Sequence, residues 1–137
     1  MRHNSHISFV KFLKFWFPVI LYSGMIFAVS SVPNLRAPME ESNFDKVIHC
    51  LEYMILGILV CRVIQSTGLL ESRMTFVVVI LFCAFYGFSD EFHQLFVMGR
   101  DSDWKDLLAD SLGGAIGAWI YLIYRKFLQR QKLSSSL

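Results

Sequence analysis

His49 and His93 stand among carboxylates that crowd one end of the chain's apolar segments. Ten of the eleven acidic residues fall there: Glu40, Glu41, Asp45, Glu52, Asp90, Glu91, Asp101, Asp103, Asp106 and Asp110, with Gln94 and Arg100 beside them. Only Glu71 falls at the other end. The residue types define the available chemistry. A histidine titrates near neutral pH and serves as acid, base or metal ligand. Asp and Glu act as bases or ligands, and Arg100 is suited to clamp a phosphate or carboxylate through paired hydrogen bonds. The catalytic candidates are therefore His49, Asp90, Glu91 and His93. The candidate ligand-binding set is Asp45, His49, Glu52, Tyr53, Asp90, Glu91, His93, Gln94, Arg100, Asp106 and Asp110.

Two plainer explanations compete with a functional one. The first is a structural ion-pair network in which Arg100 and Lys105 neutralise Asp90 or Asp106. The candidate polar groups outnumber what those two cations can satisfy, which favours a site. The second is a metal centre. Asp45 and His49 have ligand spacing on one helix, but no motif such as HExxH accompanies them. A divalent metal stays open and no cofactor is assigned. His3 and His6 belong to the polar N-terminus and are expected to be solvated.

The elements that must position these groups are membrane helices. The 137 residues are 55% hydrophobic, with a mean hydropathy of +0.48, and the apolar residues come in blocks. A span needs about 20 residues. Four blocks qualify: Phe12 to Ser31, Val47 to Ile64, Met74 to Phe88 extended to about Glu91, and Leu107 to Tyr124. In lipid a backbone must satisfy its own hydrogen bonds, so these are helices. The expected fold is all-α, a polytopic four-helix bundle over residues 1–128, with residues 129–137 as a flexible cytosolic tail.

Orientation follows from Lys and Arg. Nine fall beside one set of span ends and four, Arg36, Lys46, Arg100 and Lys105, beside the other. The positive-inside rule then puts both termini and the link Gln65 to Arg73 in the cytoplasm of a multi-pass cell-membrane protein, bacterial by expectation. The acid-rich end faces outward. A cleaved signal peptide is the rival for the first block; its apolar run is longer than a signal needs and rich in aromatics such as Phe15, Trp16 and Phe17. Cys50, Cys61 and Cys83 lie within spans and read as small packing residues. The formal charge of +2 says little, and no nucleic-acid partner is expected.

Helical geometry orders the polar groups further. Asp45, His49, Glu52 and Leu56 share a narrow arc, with Tyr53 at its edge. Asp106, Asp110, Gly114 and Gly117 share another, with Gly113 beside them. Gly113 and Gly117 form a GxxxG pair that lets another helix approach closely, which makes a helix partner possible there. Ser42-Asn43 are placed to cap the second helix, with Asp45 in its first turn, and Asn34 to Asn43 is expected to be an irregular outer loop.

Three stretches together resemble the VanZ-like membrane protein family. They are Phe44 to His49 and on to Tyr53; Ser89-Asp90-Glu91-Phe92-His93-Gln94-Leu95-Phe96 with Gly99-Arg100; and Asp106 to Asp110 followed by Gly113 to Gly117. The resemblance covers Ser30 to Gly117. The family often carries Asn where this chain has Asp110. The resemblance implies a small multi-spanning protein, and the founding member is associated with low-level resistance to the glycopeptide teicoplanin. It implies no particular reaction.

Three functions follow as expectations. The acid-rich end binds a cell-wall precursor, a lipid head group or a glycopeptide; or it is the centre of a membrane-embedded enzyme acting on a lipid-linked substrate; or the chain is a helper subunit whose Gly113 and Gly117 face packs another membrane protein. A small ion-coupled transporter is set aside, because four short helices rarely enclose a path alone.

Overall fold

A computed structural model describes residues 9–33, 44–100 and 102–135. Arg36, Glu40, Glu41, Asp101, the Ser42-Asn43 cap, most of the Pro33 to Lys46 link, His3, His6 and the last two residues lie outside the described set. The described residues form four helices and no strand: α1 Phe9–Ser30, α2 Phe44–Thr67, α3 Ser72–Gln94 and α4 Trp104–Ser134. The shortest, at 22 residues, is about 33 Å long at 1.5 Å per residue, enough to cross a hydrocarbon core of roughly 30 Å. The chain is a multi-pass membrane protein, and its helices imply a lipid bilayer around them.

Each helix begins or runs on beyond its apolar block. α2 starts at Phe44 and takes in Asp45 and Lys46; α4 starts at Trp104, capped by the Asp103 carboxylate, which accepts a hydrogen bond from the Lys105 backbone N–H at 2.9 Å. α4 also continues to Ser134, into the segment expected to be coil. Its last turns, Phe127-Leu128-Gln129-Arg130-Gln131-Lys132-Leu133, are built mostly of good helix formers, and no Gly or Pro interrupts them. In α1 a wider π-helical turn spans Phe12–Trp16, just before Pro18. Proline has no N–H to give the preceding turn, and a π-bulge absorbs that break in the ladder.

Packing is centred on α4, which lies against α2 most extensively and then against α3. Gly113 and Gly117 make this possible: a Cβ on Gly113 would run into the Cys50 carbonyl, and one on Gly117 into the Met54 carbonyl. The GxxxG face is therefore taken by α2 of the same chain. That corrects the expectation of a helix partner through Gly113 and Gly117, because backbones this close leave no room for a further helix on that face.

α1 is peripheral. It is held by Tyr86, whose hydroxyl donates to the Ser23 carbonyl at 2.6 Å, by a Ser31–His93 contact and by Arg62 over the Phe15 ring at 5.2 Å. The core proper joins Tyr53, Leu56 and Cys61 of α2 to Val79 and Cys83 of α3 and Ala118 of α4. The three cysteines are free. Around this core the usual arrangement is reversed. Phe85 is 75% exposed while Asp110 is 1% exposed, as lipid in place of water requires.

Candidate functional site

At one end of the bundle three helices bring their polar ends together. α2 supplies Asp45, Lys46, His49 and Glu52, α3 supplies Asp90, Glu91 and Gln94, and α4 with its N-terminal approach supplies Asp103, Asp106 and Asp110. Asp90, Glu91, Asp106 and Asp110 are buried. A carboxylate in hydrocarbon is costly unless it faces protein, water or a partner charge, and the contacts show where these four turn.

His49 Nδ1 lies 3.0 Å from Asp110 Oδ1. The Asp110 carboxylate is seated against α3 at Gly87, where a Cβ would meet Asp110 Oδ2 at 2.5 Å. Gly87 thus makes the space in which Asp110 sits behind the imidazole. This arrangement holds the ring in one orientation and leaves Nε2 for another partner, the geometry by which a buried carboxylate orients a histidine base or metal ligand.

Lys46 pairs with three carboxylates of the cluster. Its ammonium reaches Asp106 Oδ1 at 2.6 Å, Asp103 Oδ2 at 3.0 Å and Asp45 Oδ2 at 3.7 Å. The expected pairing of Lys105 with Asp106 does not form: Lys105 is exposed and contributes its backbone N–H to Asp103. Consecutive side chains on a helix diverge by about 100°, whereas Lys46 faces Asp106 from α2. Asp103 is held below its ordinary carboxyl value of 3.8, chiefly by the Lys105 N–H and further by Lys46.

Glu91 Oε2 accepts the Asp103 backbone N–H at 2.9 Å, which ties the end of α3 to the start of α4. Glu52 of α2 is half-buried. Gln94 donates to Asp90 Oδ2 at 3.1 Å. Asp90 Oδ1 and the Tyr53 hydroxyl, both buried, have no hydrogen-bond partner among the described residues.

His93 goes elsewhere. Its Nε2 is 3.0 Å from Ser31 Oγ and its ring lies 4.5 Å from that of Phe27, both on the α1 side. Two residues on from Glu91, it is rotated by about 200° around α3. Asp45 and Asp106 share Lys46, His49 pairs with Asp110, Glu91 holds the Asp103 N–H and Asp90 holds Gln94, whereas His93 stands at the α1 contact. Lys46, Asp103 and Gly87 were not among the candidates. Asp103 had a signal, an Asp two residues before Lys105 at a helix start; Gly87 had none.

One trio fits a metal by distance. Ligand atoms of Asp45, His49 and Asp106 all lie within 4.8 Å of one another. The donor set, two carboxylates and an imidazole oriented by Asp110, suits a divalent cation. The Lys46 ammonium already pairs with both carboxylates of that trio, so a cation would have to displace it.

The sequence model of the VanZ/LLP1 family matches residues 3–125. No curated protein and no solved structure matches the chain.

Proposed function

The chain belongs to the VanZ/LLP1 family, and from that premise we propose that its acid-rich end recognises the polar head of an envelope amphiphile. The ligand class is a cell-wall precursor, a lipid head group or a glycopeptide, and the teicoplanin link of the founding member fits it. One observation supports the reading: buried Asp110 pairs with His49 and buried Asp106 with Lys46, with Asp90 and Glu91 also buried at that end of the bundle. More carboxylate is gathered than those cations balance. A ligand that brings hydrogen-bond donors or an ammonium would complete the set, and Arg100, just past the end of α3, would meet a phosphate or carboxylate of the same molecule.

The split of nine Lys and Arg against four supports an outward acid-rich end, in reach of external precursors. A reporter fused after Lys132 should be active only if it functions in the cytoplasm; an export-dependent reporter that works there reverses the topology. For the ligand, the purified protein is titrated with a lipid-linked precursor, with phospholipids and with teicoplanin, each with and without Arg100→Ala. A buried, paired contact should cost about 2–5 kcal/mol on truncation. Unaltered affinity removes Arg100 from the site, and no binding by any candidate removes the reading.

The His49–Asp110 pair favours a second reading, a membrane-embedded enzyme acting on a lipid-linked substrate. His49 would serve as general base with Asp110 orienting it, and a divalent cation held by Asp45, His49 and Asp106 would supply Lewis acidity in a metal-dependent version. Incubation with envelope lipids distinguishes the two. Product formed by the wild type and abolished in His49→Gln supports the enzyme, and saturable binding without product supports recognition alone. Metal retained through purification, and lost in Asp45→Asn/Asp106→Asn, would support the cation.

A further inference from the structure

The opposite end of the bundle carries a second polar site, independent of the first. A cavity of about 730 Å³ opens between the α2–α3 link and α4, in the size range of ligand pockets. Arg73 of α3 and Arg125 and Lys126 of α4 line it, and the one acid among its lining residues is Glu71. Leu70, Leu122 and Ile123 give it an apolar wall, and Ile123 is 49% exposed. We propose that this cavity binds an anionic phospholipid, its phosphate between Arg73, Arg125 and Lys126 at the start of α3 and an acyl chain along Leu122 and Ile123.

Three observations support it. First, the cavity is preformed. The link is fixed by Gln65, buried, whose Nε2 donates to Thr75 Oγ1 at 2.5 Å and to the Leu70 carbonyl at 3.3 Å. Gly68 turns the chain with φ 69°, and Thr67 Oγ1 accepts the Leu69 N–H at 3.3 Å. Second, the start of α3 opens here. Glu71 occupies the capping position, but its side chain makes no capping hydrogen bond. The first-turn N–H groups of a helix have no intrahelical partners, and a helix of 23 residues directs the positive end of its dipole at the same place. Ser72 and Arg73, at that start, line the cavity. Third, cations and apolar wall adjoin, so the site matches a head group joined to a chain and not a free ion. Basic pockets between membrane helices hold lipid phosphates in this way.

The test uses the full chain in detergent, incubated with phosphatidylglycerol or with phosphatidylcholine of identical acyl chains, and native mass spectrometry to count retained lipid. Phosphatidylglycerol should be retained over phosphatidylcholine. Arg125→Gln/Lys126→Gln should lower its retention about tenfold, and Arg73→Gln, on another helix, should act in the same direction. Arg130→Gln/Lys132→Gln, on the same helix but outside the cavity, should change it by about twofold or less. Circular dichroism of each variant checks that the fold is kept. Equal losses from the two double variants would mean a diffuse basic surface and would overturn the proposal. Equal retention of the two lipids would do the same. Displacement of phosphatidylglycerol by millimolar inorganic phosphate would assign the site to the free ion and overturn the lipid. None of these outcomes touches ligand binding at the acid-rich end.

Discussion

The two ends of this bundle solve the same problem with opposite means. At the acid-rich end charge is taken inside: Asp110 is 1% exposed, backed by Gly87 and paired with His49, and Lys46 of α2 pairs with Asp103 and Asp106 at the start of α4. At the other end charge stays at the rim, where Arg73, Arg125 and Lys126 surround a cavity, and the buried polar pair beneath them is the uncharged Gln65–Thr75. A neutral pair costs little to bury once hydrogen-bonded, whereas buried ions are tolerated only with partners. Ion pairs that cross between helices fix the geometry of the acid-rich end closely. Rim cations leave the other end free to exchange lipid.

This contrast is breakable. The largest effect should come from Asp110→Ala, which strands His49 and empties the seat at Gly87. A loss of about 3–5 kcal/mol is expected, as for breaking a buried pair, measured by unfolding in mixed micelles. Asp110→Asn keeps an acceptor for the imidazole and should cost about 1 kcal/mol. Equal costs for the two would show that the pair does not organise this end.

Gly117→Leu acts between the ends. A side chain there meets the Met54 carbonyl, and overpacking of this kind costs about 1–3 kcal/mol. Because α2 and α4 carry residues of both sites, thermal unfolding should drop and lipid retention and ligand affinity should fall together. A change confined to one end would mean that the two ends do not share the glycine seam.

Gln65→Ala sharpens the comparison from the other side. It leaves the Thr75 hydroxyl buried without its partner and should cost about 1–2 kcal/mol. Phosphatidylglycerol retention should fall as the link loosens, with ligand titrations at the acid-rich end unchanged. The smallest effect belongs to Asp103→Ala, about 1 kcal/mol for loss of a helix cap. Since the Lys105 N–H holds the Asp103 carboxyl below 3.8, its support is complete above that value and is lost as pH falls through the lower folded-state value. The gap between wild type and variant should therefore narrow in acid; a gap that widens would contradict the capping role.

Much of this protein is legible in its sequence, and for identifiable reasons. The spans from α1 to α4 follow from apolar length, and that Asp90, Glu91, Asp106 and Asp110 turn into the bundle follows from the cost of leaving a carboxylate in lipid. The GxxxG face of Gly113 and Gly117 was equally plain. Its partner was not, since small residues state that a backbone comes close and not whose. The pairing of charges was also hidden. Lys105 is adjacent to Asp106 in sequence, yet Lys46 neutralises it from another helix. His93 lies in the densest polar run, yet turns to Ser31 and Phe27.

The sequence by itself determined class, span number and the segregation of acid from base, because hydrophobic length and the cost of buried charge act on each segment separately. Tertiary structure alone decided which cation meets which carboxylate, that Gly87 seats Asp110 behind His49, and that Arg73 and Arg125 border one cavity. Those facts depend on the rotation and depth of one helix against another, quantities set by packing between segments distant in the chain.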